Sequence, residues 1–162
     1  MVAVIAHALA VISRDVFGTA ADPGQTAAMA LFHDASEIFT GDMPTPVKYF
    51  DPDIMSAYKR VESLASQKML SALPSQMRLA YKPLLSPEDD DEALALVKAA
   101  DKLAAYIKCL EELKTGNLEF RLAAEQSRKK LSELNMPEVE YFIDRFIPAF
   151  ELTLDKLNFT TE

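Results

Sequence analysis

His33, Asp34, Glu37 and Asp42 fall within ten residues of one another, in the string His33-Asp34-Ala35-Ser36-Glu37-Ile38-Phe39-Thr40-Gly41-Asp42-Met43-Pro44-Thr45-Pro46-Val47-Lys48. An imidazole beside carboxylates is a ligand set for a divalent cation, and a further acid nearby can manage a proton. Imidazole with carboxylates suits Mn, Fe, Co or Zn better than Ca, which takes oxygen ligands throughout. Phosphate esters are the substrates such metal-assisted chemistry serves. Residues 27–32, just ahead of the doublet, are nearly all apolar, so His33 and Asp34 are expected at a buried position. An unpaired carboxylate there is costly.

Alone, the doublet is a weak signal. His33 also reads as a core histidine bonded to a neighbouring backbone group, and Asp34 and Glu37 as a solvated helix end. Asp101 adds weight. It interrupts an apolar run, and a stripe through Leu94, Val97, Asp101, Ala104 and Ala105 follows helical spacing. Asp101 is therefore expected to point into an apolar face, where it needs a cation or a hydrogen-bonded partner. Lys98 and Lys102 on the same helix are the competing partners.

Helices must position these groups. Four glycines among 162 residues, with abundant Ala, Leu, Glu and Lys, predict an all-α fold. The length suits one domain spanning residues 1–162. The spacing predicts about seven helices: residues 1–13, 26–39, 52–72, a short one from Pro74 closed by Pro83 and Pro87, 86–114, 119–134 and 137–157. Loops are expected through Gly18 and through Asp22-Pro23-Gly24. On the second helix His33 and Glu37 would share a face, one turn apart. Pro44 and Pro46 hold Met43 and Thr45 extended, making a stiff platform for a ligand.

A net charge of −8 argues against a nucleic-acid polymer as partner. The basic triple Arg128-Lys129-Lys130 lies among Glu119, Glu125 and Glu133 and reads as a solvated face. Cys109 is the single cysteine, so no intrachain disulfide forms, and its apolar neighbours predict a buried, inert thiol. The apolar start up to Ile12 is too short for a membrane span and lacks the basic flank of a signal peptide. A cytoplasmic protein that does not engage membranes is expected. The stripe of Val2, Val4, Ile5, Ala8, Leu9 and Ile12 begins with no capping residue, as though the chain starts inside an element.

These residues together resemble the HD superfamily of metal-dependent phosphohydrolases, which place a His-Asp doublet and a distant Asp in apolar helices. The string from His33 through Lys48-Tyr49-Phe50 is similar to one branch, the bacterial HD-domain 5′-deoxynucleotidases. So is Ala100-Asp101-Lys102-Leu103-Ala104-Ala105-Tyr106-Ile107-Lys108-Cys109-Leu110-Glu111-Glu112-Leu113, and the resemblance extends over nearly the whole chain. It implies an HD-type helical bundle that hydrolyses deoxyribonucleoside 5′-monophosphates to deoxynucleoside and phosphate through a metal-activated water. It implies one divalent cation on His33, Asp34 and Asp101, and proton transfer by Glu37 and Asp42. Asp34, Asp42, Met43, Pro44, Thr45 and Asp101 would contact the substrate, and the protein would be a homodimer.

The branch also carries an upstream ligand His and an Arg-Trp pair. This chain has no Trp, and His7, its other histidine, falls after the ligand position. His7 is expected to be a packing or surface residue. The expectation is an HD domain truncated at its N-terminus, with three protein ligands in place of four and a weakened site. The alternative is a non-catalytic nucleotide-binding or dimerisation module derived from that enzyme. A guanosine polyphosphate is the competing substrate, disfavoured only by the likeness of the Asp42–Lys48 turn.

Overall fold

The computed structural model describes residues 1–43, 47, 50–88 and 91–152, with only the backbone of Glu151. Among them are eight α-helices and one 3₁₀ turn: α1 (Val2–Phe17), α2 (Pro23–Leu31), α3 (Glu37–Thr40), α4 (Pro52–Ala72), α5 (Ser75–Leu85), α6 (Glu92–Lys114), the turn Leu118–Phe120, α7 (Arg121–Ser132) and α8 (Pro137–Glu151). The all-α expectation holds.

α6 is the central helix. Leu96, Val97, Ala99, Ala100, Leu103 and Ile107 are buried along it, and α1, α2, α7 and α8 pack around it. Small residues set the closest approach, with Ala6 and Ala10 of α1 and Ala100 of α6 fully buried. Leu9, Met29, Leu131, Val139, Phe142 and Ile147 fill the space between them. α4 lies outside this core. It packs on α3 and α5 and buries only Tyr58 and Ala65.

Helix ends depart from expectation where capping decides them. α1 runs to Phe17, beyond residue 13, because Gly18 at φ 72° turns the chain back. Its amide donates to the Arg14 carbonyl at 3.1 Å, the bond of an αL C-cap, and that of Thr19 to Ser13 at 3.2 Å. Asp22-Pro23 is a helix start and not a loop: the Asp22 carboxylate accepts from the Gln25 amide at 3.0 Å, with Pro23 in the first turn. α6 begins at Glu92, capped by Asp91, later than residue 86. α5 runs past Pro83 to Leu85. α8 is described to Glu151, and the expected helix end at residue 157 lies outside the described residues.

The largest departure is at the doublet. α2 ends at Leu31, and residues 32–36 form a tight turn before α3. Four bonds of three-residue span carry it, from Ala35 to Phe32, Glu37 to Asp34, Ile38 to Ala35 and Phe39 to Ser36, at 3.0–3.3 Å. The His33 ring takes the Ala30 carbonyl, which the Asp34 amide would use in a continued α-helix. A side chain thus competes with the helix for its own acceptor.

Candidate active site

That competition fixes the imidazole. The Ala30 carbonyl can only accept, so His33 Nδ1 donates to it, at 2.8 Å. Nε2 is left facing two carboxylates, Asp34 Oδ2 at 2.8 Å and Asp101 Oδ1 at 4.0 Å. Two carboxylate oxygens directed at one ring nitrogen, from two different elements, form a candidate donor set for a bound cation. A backbone carbonyl holding the far nitrogen is also how metal-ligating histidines are oriented.

One imidazole nitrogen and two carboxylates are the donors that first-row divalent cations take. The fit lies in donor chemistry. Two ligands of one such ion sit roughly 3–3.5 Å apart, and the 4.0 Å gap to Asp101 is wider. Among the described residues no three His, Cys, Asp or Glu side chains close into a metal site.

Asp101 does not point into an apolar face, and His33-Asp34 is not enclosed. The side chains of His33, Asp34 and Asp101 are 23%, 57% and 60% exposed. On α6 the buried stripe runs through Leu96, Ala100, Leu103 and Ile107, which leaves Asp101 on the neighbouring face. Among the described residues neither Lys98 nor Lys102 is ion-paired with it, and His33 faces it. The three groups open onto a cleft of about 240 Å³.

One side of the cleft is acidic, with Asp34, Glu37, Glu62 and Asp101 around His33, while Phe32, Leu84, Leu85, Pro87, Leu94 and Val97 supply an apolar wall. Glu37 reaches it from the first turn of α3, so it shares the cleft with His33 despite the break in the helix. Asp42 is exposed just beyond Gly41 and does not line the cleft, and Met43 is half-buried. Pro44 and Thr45 lie outside the described residues.

The residues missed in the sequence come from α4 and α6. Glu62 and Ser66 line the cleft, and Tyr58 stands one turn before them. Residues 58, 62 and 66 recur every fourth position, so they share one helical face, a signal the sequence carries. The buried Tyr58 hydroxyl donates to the Gly41 carbonyl at 3.0 Å and meets the Thr40 hydroxyl at 3.3 Å, pinning the turn after α3. Lys98 lines the cleft one turn before Asp101. His7 is exposed, as expected. Cys109 is buried, and desolvation, with the Glu112 carboxylate adding to it, pushes its thiol pKa up.

The helical bundle has the HD-domain fold. An HD-domain phosphohydrolase from Listeria innocua superposes with a TM-score of 0.74 at 24% identity, over 92% of this chain and 72% of that one. That likeness shows the fold. Sequence is more specific: residues 1–150 match the family described as 5′-deoxynucleotidase YfbR-like. A 5′-deoxynucleotidase from Vibrio parahaemolyticus is 47% identical over 158 residues, 97% of this chain and 81% of that one. One from Shewanella oneidensis is 48% identical over the same shares, and one from Erwinia tasmaniensis 46%, over 97% and 80%. The chain belongs to the YfbR-like 5′-deoxynucleotidase family and is an HD-type hydrolase.

Proposed function

We propose that this protein hydrolyses deoxyribonucleoside 5′-monophosphates, releasing deoxynucleoside and phosphate, with one divalent cation held by His33, Asp34 and Asp101. The observation that carries it is the fixed His33 ring, whose Nε2 faces both carboxylates in the cleft. Relatives named 5′-deoxynucleotidases supply the substrate class.

A divalent cation of the Mn, Co, Fe or Zn kind would supply Lewis acidity, offsetting phosphate charge and lowering the pKa of water at the site. The protein's own groups do the rest. Glu37 accepts a proton from the water whose oxygen attacks phosphorus. The bond from phosphorus to the 5′-oxygen breaks, and that oxygen leaves as an alcohol after taking a proton. Asp42, just beyond Gly41, contacts the sugar together with Met43, Pro44 and Thr45 and serves this second transfer. The apolar wall of Phe32, Leu84, Leu85 and Pro87 receives the base and sugar and excludes water. The protein works as one domain in a cytoplasmic homodimer. The single cysteine, Cys109, suits a reducing compartment.

The wide Asp101 gap and the absence of a closed ligand set among the described residues favour a second reading, a nucleotide-binding module without catalysis. Phosphate release from dAMP in the presence of Mn²⁺ separates the two. The enzyme reading predicts turnover, lost at least about a hundredfold in Glu37→Gln, as expected when a proton acceptor is removed. Binding of dAMP with no phosphate released would leave the module.

A further inference from the structure

The acidic side of the cleft raises a problem for any phosphate ester. Asp34, Glu37, Glu62 and Asp101 all line it, and a single divalent cation does not reverse their combined charge. A phosphate monoester dianion needs a second positive partner. Among the described residues one Lys or Arg lines the cleft, and it is Lys98. It is exposed, and no ion pair engages it among the described residues. It stands three residues before Asp101 on α6, which places the two side chains on one face about a turn apart. A lysine lining the cleft offers it three mobile donors.

We infer that Lys98 binds the non-bridging phosphate oxygens of the substrate, making it the residue that selects a phosphorylated nucleoside over the free nucleoside. This rests on the nucleotidase reading above. The competing role for Lys98, a partner that restrains Asp101, is disfavoured by the absence of an ion pair between them.

Binding separates these roles without relying on turnover. Calorimetric titrations with dAMP, deoxyadenosine and inorganic phosphate are compared for the Mn²⁺-loaded wild type, Lys98→Met, Lys98→Arg and Lys129→Met. Lys129 is an exposed control on α7 that removes the same charge. Loss of one charge-assisted contact predicts roughly ten- to a hundredfold weaker binding of dAMP and inorganic phosphate in Lys98→Met. Deoxyadenosine binding should stay unchanged, Lys98→Arg should recover most of the loss, and Lys129→Met should match the wild type. Unchanged dAMP affinity in Lys98→Met overturns the inference while leaving the nucleotidase reading intact, and so does a parallel loss of deoxyadenosine. A wild type that binds neither dAMP nor deoxyadenosine overturns that reading and this one together.

Discussion

One carbonyl decides what His33 can do. Bonded to Ala30 through Nδ1, the ring has only Nε2 to offer, and that nitrogen faces Asp34 and Asp101. Residue type and spacing made these three groups legible in the sequence, because few other residues combine an imidazole with nearby acids. Their exposure was not legible. An apolar run before His33 and a helical stripe through Asp101 report average burial, and neither shows where a cleft cuts the surface. Cys109 is the converse case, a single polar atom among apolar neighbours whose burial followed from its surroundings. Since burial raises its pKa, the thiol is protonated near neutral pH and shielded from reagents. Alkylation by iodoacetamide at pH 7.5 should therefore be slow in the folded protein and fast in urea (pH chosen about one unit below the ordinary thiol pKa). Equal rates in the two states would show that the thiol is accessible.

At the scale of elements, the α2–α3 break is the feature that sequence periodicity could not supply. Thr26 to Phe39 reads as one helix by composition, and the break arises from a side-chain bond that periodicity does not encode. Caps were partly legible in the same way: Asp22-Pro23 looks like a turn until the Gln25 amide bond is seen. Gly41 closes α3 with φ 67° and ψ 166°, a region open in practice to glycine alone. Among the described residues, its chain neighbours apart, no atom lies within 4 Å of where its Cβ would be, so substitution meets backbone strain. Gly41→Ala is expected to lower stability by about 1–3 kcal/mol, read by urea denaturation. Because Tyr58 anchors the Gly41 carbonyl, the strain falls on the segment leading to Asp42. A variant as stable as the wild type would mean that the turn relaxes freely.

For the molecule as a whole, two parts are held together differently. α1, α2, α6, α7 and α8 share a continuous core, whereas α4 and α5 contribute cleft residues with little burial of their own. The all-α class followed from composition and the existence of α6 from apolar spacing, whereas its central place did not. The cleft did not, since Glu62, Lys98 and Leu84 meet His33 only through tertiary packing. α2 and α6, both rooted in the core, bring His33 and Asp101 to one place, so a cation bound between them would link the turn to the bundle. The most direct test is calorimetric titration of the apo protein with Mn²⁺, wild type beside Asp101→Ala. The proposed cation site predicts one ion bound per chain in the wild type and at least about tenfold weaker binding in the variant. Equal affinities in the two proteins would contradict a cation held by His33, Asp34 and Asp101.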